Sequence, residues 1–266
     1  MDIIEAIEAR TSVRTFAGEP LSTVQMESIN AAMGCVECPL PGSWSMDLQR
    51  FELTGPQRPG TYGVISGAGD FMLLGFDGKE YADAVAAGFA MEQVVLACTQ
   101  LGLGTCWMAG TFKSADFGIM THFPAGMDLQ AVIPVGVAAG RSRFMERVTR
   151  FTMGSKNRKP MGKLFFVGDW WKPMTDSSQF YESLMMMRLA PSSTNSQPWR
   201  AVIKGDTVHF YCKDAGKLHM LDMGIGLCHF DMTERYRDIS GQWSVDASKA
   251  PEPARDMTYV ASYTRC

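Results

Sequence analysis

The chain contains the stretch Ala190-Pro191-Ser192-Ser193-Thr194-Asn195-Ser196-Gln197-Pro198-Trp199, in which small hydrogen-bonding side chains are concentrated between two prolines. The prolines stiffen the segment and remove backbone donors, so hydroxyl and amide groups are left to bind a partner. Such groups suit a polar ring edge or a polyol. An ordinary polar turn is the alternative, but it does not account for Asn, Gln and Trp occurring together. We therefore interpret 190–199, here called the proline loop, as a ligand-facing segment.

Helical and strand patterns flank the proline loop on both sides. Apolar spacing predicts a helix over 180–189 before it, and strands over 199–203 and 208–211 after it, followed by a helix over 221–236. The strongest pattern lies earlier, over 84–101, where small and apolar residues occur nearly all round and indicate a buried central helix. The remaining predictions are a helix over 1–9, a helix with Ser22 as N-cap, Asp83 as N-cap of the central helix, and strands over 51–54, 71–76, 131–138 and 257–263.

Composition limits the classes of protein. The 266 residues, 46% hydrophobic and 20% charged, suffice for one large domain or two modest ones. A net charge of -3 argues against general nucleic-acid binding, so any anion must be held by a local cluster of Lys and Arg. No apolar run approaches the ~20 residues of a membrane span. The acidic N-terminus lacks signal-peptide features, and seven cysteines, an odd number, favour reduced thiols. We expect a cytoplasmic protein without nucleic-acid or membrane partners.

Cys35 and Cys38 form a C-x-x-C pair. A structural zinc site needs two more ligands, and the four histidines offer no suitable pair. A thioredoxin-like motif needs a strand before it, whereas a helical pattern precedes this one and prolines follow. We interpret the pair as two unpaired thiols in a loop, and we predict no metal site.

Three further segments carry residues suited to a flat, anionic ligand. Arg10-Thr11-Ser12-Val13-Arg14 places two guanidinium groups and a hydroxyl on one side of an extended segment, which suits a phosphate. The small residues near the end of 101–110 let the backbone approach a flat ligand. The segment 155–160 is basic in an otherwise acidic chain. Each segment has an ordinary structural alternative. Residues 10–14 could be a strand with surface arginines, 101–110 a helix end followed by a core Trp, and 155–160 a solvated loop.

Two spacings in the first part of the chain recur in the second. They are Glu27 to Trp44 and Glu182 to Trp199, and Gly88 to Trp107 and Gly224 to Trp243. Two matches in the same order favour an internal duplication over chance. Physically, this corresponds to a homodimer fused into one chain with one half reduced.

Together, the four segments resemble those of the FMN-dependent nitroreductase family. In that family an Arg-x-Ser-x-Arg/Lys motif contacts the FMN phosphate, ribityl and pyrimidine groups, and a Pro-Ser-Ser-x-Asn-x-Gln-Pro-Trp loop reaches the flavin from the other subunit. The resemblance implies cofactor contacts by Arg10, Thr11, Ser12, Arg14, Trp107, Met108, Ala109, Gly110, Lys156, Arg158, Pro191, Ser192, Ser193, Asn195 and Gln197.

The position of the proline loop departs from the family pattern. In the family it follows the Arg-Ser-Arg motif, but here 34–44 has lost most of its Ser, Asn and Gln, and the intact loop lies in the second part. The resemblance therefore implies one FMN per chain, bound across a pseudo-dimer interface. The implied fold is α+β, with a mixed central sheet flanked by helices and internally duplicated. Residues 1–168 carry the phosphate and ring contacts, and residues 169–266 carry the proline loop.

The function that the resemblance implies is that of an FMN-dependent oxidoreductase, reducing nitroaromatic or quinone-like small molecules with NAD(P)H. The flavin carries the chemistry, so we assign no catalytic side chain. Ala109 replaces a Glu found in many relatives, which leaves NAD(P)H use open. The alternatives are an FMN-binding sensor or carrier without turnover, and a different flavin-dependent reaction. A monomer is compatible with the fused arrangement, and a homodimer stays open.

Overall fold

The computed structural model describes residues 1–53, 59–118, 122–140 and 158–266. The helices are α1 (Ile3–Ala9), α2 (Thr23–Gly34), α3 (Tyr81–Gln100), α4 (Ser114–Gly118), α5 (Tyr181–Leu189) and α6 (Lys217–Tyr236). The strands are β1 (Ser45–Arg50), β2 (Asp70–Phe76), β3 (Gly104–Thr105), β4 (Asp128–Gly136), β5 (Phe165–Val167), β6 (Trp199–Lys204), β7 (Thr207–Lys213), β8 (Gly241–Ser244) and β9 (Met257–Arg265).

The described residues form two sheets, ordered β1-β2-β4-β3 and β5-β6-β7-β9-β8. All pairs are antiparallel except β5–β6, which makes the second sheet mixed. The predicted α+β class with helices flanking the sheets is confirmed. The expected central sheet is in fact two sheets, because each half closes its own hydrogen-bonded ladder.

Side-chain caps define the first two helices. The Asp2 carboxylate accepts from the Glu5 backbone N–H at 2.9 Å, while Glu5 accepts from the Asp2 N–H. Ser22 and Gln25 form the same reciprocal arrangement at the start of α2. These capping boxes satisfy backbone donors that a helix start leaves open. The predicted N-cap Ser22 is therefore confirmed.

Two local predictions are wrong. Asp83 is not the N-cap of α3, because the helix begins a turn earlier, at Tyr81, and the Asp83 carboxylate accepts from Ser43 N at 2.8 Å instead. The strand predicted over 51–54 lies earlier, as β1, while position 54 is outside the described residues. β1 carries polar side chains along a half-exposed edge, so it lacks an apolar run, and the apolar signal came from Phe51, whose ring packs on Phe71.

The centre of the fold is the contact of α3 with α6, where two glycines meet the facing backbone. A Cβ on Gly88 would lie 2.2 Å from the Leu221 carbonyl oxygen, and one on Gly224 would lie 2.0 Å from that of Val85. Real side chains do not approach so closely, so only glycine permits this helix separation. The contact joins the two halves into one core.

Helix α3 is long and apolar enough, by length and composition, to cross a membrane, but most of it is buried inside the protein. Its neighbours are α6, α1, α2 and β2. These contacts make α3 the core helix that its all-round apolar pattern predicted.

Four strands of the second sheet follow the same order as the four strands of the first. The order β1-β2-β4-β3 matches β6-β7-β9-β8, and both central pairs carry a register shift, between Leu74 and Gly75 and between Phe210 and Tyr211. The offset between these bulges equals that between Gly88 and Gly224. An internal duplication would leave such matches; the duplication and the boundary at 168 stay predictions.

Candidate functional site

A cavity of about 490 Å³ lies where the segments 12–14 and 106–111, the proline loop and the start of α6 meet. We call it the interface cleft, because its walls come from both halves of the chain. The predicted residues that line it are Ser12, Arg14, Trp107, Met108, Ala109, Gly110, Pro191, Ser192 and Ser193. Three of the four predicted segments therefore converge on one site.

The first wall depends on close contact between two backbone segments. Val13 N donates to Thr105 O at 2.8 Å, so 10–14 lies beside β3. A Cβ on Gly104 would lie 2.6 Å from a Val13 methyl group, which explains why a small residue stands there. Because alternate residues of an extended segment face the same side, Ser12 and Arg14 are presented together to the cleft.

Residues 107–110 continue the first wall of the cleft. Met108 exchanges two backbone hydrogen bonds with Val132 of β4, at 3.1 and 2.9 Å. Gly110 has a φ of 153°, a conformation that side chains disfavour, while a Cβ there would contact nothing within 4 Å. Gly110 is therefore required by the backbone path along the cleft and not by packing.

The second wall is the proline loop, whose backbone takes unusual angles. Thr194, Asn195 and Gln197 have φ values of 49°, 57° and 47°. Such angles are unfavourable for non-glycine residues and persist only where the surroundings impose them. Gln197 N donates to Ser192 Oγ at 3.0 Å, and Ser193 N donates to both Asp222 oxygens at 3.1 and 3.0 Å. These bonds hold the loop in its shape.

Asn195 and Gln197 brace the loop and are not among the residues lining the cleft. Gln197 is 1% exposed; its Oε1 accepts from Lys159 N at 2.8 Å, and its Nε2 donates to Asn195 O at 3.1 Å. Asn195 Oδ1 accepts from Arg158 Nη1 at 3.0 Å. The structure thus gives these two predicted residues internal contacts. Thr11 is exposed and also lies outside the lining.

Two predicted arginines lie behind the cleft. The Arg10 side chain is 7% exposed. Its buried Nε has no hydrogen-bond partner among the residues that the structure describes, and it lies 4.0 Å from Glu92 Oε1. Burial lowers the pKa of Arg10. Arg158 donates to Ala190 O and Leu189 O, and burial, together with the charges of Arg10 and Arg188, lowers its pKa to about 10. These cations repel each other, as expected where an anion is to be held. Lys156 lies outside the described residues.

Sequence reasoning missed the buried carboxylate that orients Trp107. Glu92 of α3 accepts from Trp107 Nε1 at 2.7 Å, and its other oxygen lies 2.8 Å from His229 Nε2. His229 Nδ1 lies 3.2 Å from Met186 O, so both ring nitrogens have an oxygen atom within hydrogen-bond distance. The signal available in the sequence was a Glu in an otherwise apolar helix.

Helix α6 supplies four further lining residues that were not predicted. Leu218, Leu221, Asp222 and Ile225 face the cleft at helical spacing. Asp222 is 4% exposed, and burial raises its pKa to about 7. An Asp on the apolar face of a helix was the available sign, but only the packing of α6 against the proline loop shows its place.

The C-x-x-C pair takes no part in the cleft. Cys35 is an exposed free thiol, and Cys38 is a half-buried one whose pKa burial raises to about 11. Among the residues that the structure describes, no group of three or more His, Cys, Asp or Glu side chains could hold a metal ion.

Comparison with known families identifies the family of the chain. The sequence matches the family described as "Putative TM nitroreductase" over residues 2–234. The match spans most of the chain, so the chain belongs to this nitroreductase family. The family recognised from the sequence motifs is confirmed, and with it the class of oxidoreductase. A search of curated proteins finds no match.

Several solved structures are similar to this chain. A Thermotoga maritima protein described as a "putative nitroreductase" is 20% identical, with a TM-score of 0.63 over 99% of this chain and 94% of its own. A Desulfovibrio desulfuricans "putative nitroreductase in complex with FMN" is 23% identical, with a TM-score of 0.42 over 52% of this chain and 87% of its own. A Clostridium difficile nitroreductase family protein is 13% identical, with a TM-score of 0.45 over 61% and 96%. The first likeness supports the fold along the whole chain.

Proposed function

We propose that this chain binds one FMN in the interface cleft and uses it to transfer two electrons to a small flat acceptor, a nitroaromatic or a quinone. An FMN-dependent oxidoreductase is the class that family membership supports. The observation that carries the proposal is the convergence of 12–14, 106–111 and the proline loop on one cavity. These are the segments that the motif resemblance had assigned to the cofactor, and they come from both halves.

The cleft suits FMN in size, donors and charge. Its volume of about 490 Å³ lies within the range of roughly 300–1,000 Å³ typical of cofactor sites. Ser12, Arg14 and Ser192 supply hydrogen-bonding groups along the walls. Arg10 carries a buried N–H group without a partner, beside the second cation Arg158. A phosphate would satisfy that donor and relieve the repulsion between the two cations.

Bound FMN would supply the two-electron chemistry. The residues of the chain would bind and enclose it: Arg10 and Arg158 at the phosphate, Ser12 and Arg14 along one wall, and the proline loop along the other. Arg14 would place positive charge beside the ring, which favours the electron-rich form. Leu221 and Ile225 would exclude water from the opposite side. No protein nucleophile is needed.

FMN titration of the purified protein tests the binding proposal. The wild-type chain should turn yellow and take up one FMN per chain. Arg10→Ala and the double variant Ser193→Ala/Asn195→Ala should each weaken binding at least about tenfold, or about 1.4 kcal/mol. Asn30→Ala, on the exposed face of α2, serves as the control and should bind normally. Loss of affinity in the Arg10 variant alone would refute the composite site, and a colourless wild type would refute FMN binding.

Four parts of the proposal need their own measurements: NAD(P)H as electron donor, the class of acceptor, the cytoplasmic location and the monomeric state. Ala109 has only a methyl group where many family members carry Glu, so it does little to shape access for the nicotinamide. This favours the alternative of an FMN-binding protein without turnover. Steady-state oxidation of NADH and NADPH with nitroaromatic and quinone acceptors distinguishes the two. Turnover with either donor supports the enzyme. Reoxidation by neither acceptor class in a yellow protein supports the sensor or carrier.

A further inference from the structure

Asp222 differs from the other buried carboxylates of the described residues. Those residues include five buried acidic side chains, Asp70, Glu92, Asp222, Asp231 and Glu234. Four of them lie within 4.0 Å of a cationic or imidazole nitrogen, in the pairs Asp70–Arg50, Glu92–His229, Asp231–Arg235 and Glu234–Arg265. Asp222 has no such pair within the described part of the chain.

The contacts of Asp222 are with neutral donors. Ser193 N donates to both carboxylate oxygens, and Ser196 Oγ lies 3.4 Å from Oδ2. An ionised carboxylate that is 4% exposed and unpaired is costly, because hydrogen bonds from neutral groups replace only part of its lost hydration. Burial accordingly raises the pKa of Asp222 to about 7, close to neutrality. The one unpaired buried carboxylate among the described residues is also the one that lines the interface cleft.

The charges around Asp222 do not neutralise it. His219 lies one turn earlier on α6, with Nδ1 2.8 Å from Asp214 O. Cys212 of β7 is close enough for the Asp222 charge to raise its pKa. Across the cleft stand Arg14 and Cys106, and the proline loop contributes no ionisable group. Added negative charge in the cleft would therefore act directly on the proton affinity of Asp222.

We propose that Asp222 is a positioning residue that takes up a proton when FMN in the cleft is reduced and releases it on reoxidation. The inference rests on the proposed FMN site. Two electrons and one proton leave the reduced ring with one negative charge. A second proton, taken from solvent, converts the Asp222 carboxylate to a carboxylic acid, and the other oxygen keeps its bond from Ser193 N. The electron donor is a hydride donor of the NAD(P)H class, or dithionite in the test.

The test is the midpoint potential of bound FMN measured against pH from 6 to 9, for the wild-type holoenzyme and Asp222→Asn. Above about pH 7 the wild type should take up one more proton per two electrons than the variant. Its potential should then fall by about 30 mV more per pH unit. Asp70→Asn, a buried carboxylate paired with Arg50 elsewhere, is the control and should keep the wild-type slope. Equal slopes in wild type and Asp222→Asn would overturn the inference.

A second variant and a second readout keep the test decisive if Asp222→Asn binds FMN poorly. Ser196→Ala retains the carboxylate but removes a hydrogen bond that lowers the pKa of Asp222. The pH range in which the midpoint potential falls more steeply should therefore move to higher pH. The reduced-minus-oxidised infrared spectrum should show a carboxylic-acid C=O band in wild type, absent from Asp222→Asn. The inference would also be overturned if the wild type showed no carboxylic-acid band and Ser196→Ala left the steep part of the potential-against-pH curve at the same pH. A colourless wild type instead refutes the proposed function, whereas a yellow protein with equal slopes refutes only the role of Asp222.

Discussion

Two of the clefts beside helices α3 and α6 differ sharply in chemistry. The interface cleft holds about 490 Å³ and presents Ser12, Arg14, Asp222 and the proline loop. The other, which we call the second cleft, holds about 210 Å³. Its lining consists of Leu40, Pro41, Tyr81, Ala82, Val85, Met220, Val245, Thr258, Tyr259 and Val260.

The two clefts occupy matching places on the scaffold. The offset from Gly88 to Gly224 also relates Val85 to Leu221 and Val245 to Ala109. None of the described residues lining the second cleft is charged. The helix pair therefore provides the same support twice, while the loops decide whether it can hold a polar cofactor. Only one of the two matched positions retains the means to bind an anion.

The largest effect expected is at the helix contact itself. Gly224→Val and Gly88→Val should each destabilise the protein by about 4 kcal/mol or more, because a side chain would collide with the facing backbone. Urea denaturation measures the loss. Gly34→Ala, at the end of α2 with open space around its Cβ, is the matched control and should change little. A tolerated Gly224→Val would contradict the matched roles of the two glycines.

The charge difference between the clefts should appear in the pH dependence of stability. The pKa of Asp222 is about 7 in the folded chain, against 3.8 for an unperturbed Asp, so unfolding releases a proton between these values. The folded state binds more protons there, so stability falls as pH rises from about 4 to 7. Relative to Asp222→Asn, the wild type should lose about 2–4 kcal/mol across this window. Urea denaturation of the FMN-free proteins at pH 4.5 and 8 would show it, and parallel profiles would contradict the raised pKa.

The two matched tryptophans should separate stability from cofactor binding. Trp107 Nε1 donates to Glu92 at 2.7 Å, and Trp243 Nε1 donates to Asp231 at 2.8 Å. Replacing either by Phe removes one hydrogen bond to a charged acceptor, worth about 1.5–3 kcal/mol. Only Trp107→Phe should also weaken FMN binding, since only Trp107 lines the interface cleft. Equal FMN affinity in both variants would contradict this distinction.

The smallest effect on stability is expected from substitutions at the matched positions Val245 and Ala109. Val245→Ala removes a half-exposed side chain from the second cleft and should change stability by less than about 0.5 kcal/mol, with FMN affinity unaltered. Ala109→Val adds the same atoms to the interface cleft and should lower FMN affinity, because the ring would lose space beside Gly110. FMN titration of both variants measures the contrast. An effect of Val245→Ala on affinity would mean that the second cleft also binds the cofactor.

Local features were predictable to the extent that local physics decides them. Capping at Ser22 and the apolar periodicity of α3 and α6 follow from short-range patterns, whereas the convergence of the motif segments was implied by the family resemblance. The edge strand β1 was misplaced because its half-exposed surface carries polar residues at positions where an apolar run was sought. Asn195 and Gln197 were predicted to contact the cofactor, and that stays a prediction; their bonds to Arg158 and Lys159 were not foreseen. Side-chain direction in a strained loop depends on what packs behind it.

The sequence alone determined the family, the four motif segments, the proline loop and the repeated spacings, because each is encoded by neighbours along the chain. Tertiary structure alone decided which buried groups meet. Glu92 and His229 are 137 positions apart in the sequence and are hydrogen-bonded. Asp222 of α6 accepts a hydrogen bond from Ser193 N of the proline loop. Whether a buried carboxylate is paired or alone depends on the packing of distant elements, and electrostatics in a low-dielectric interior turns that packing into chemistry. The pairing pattern, and with it the distinct place of Asp222, emerges only once α3, α6 and the proline loop are assembled.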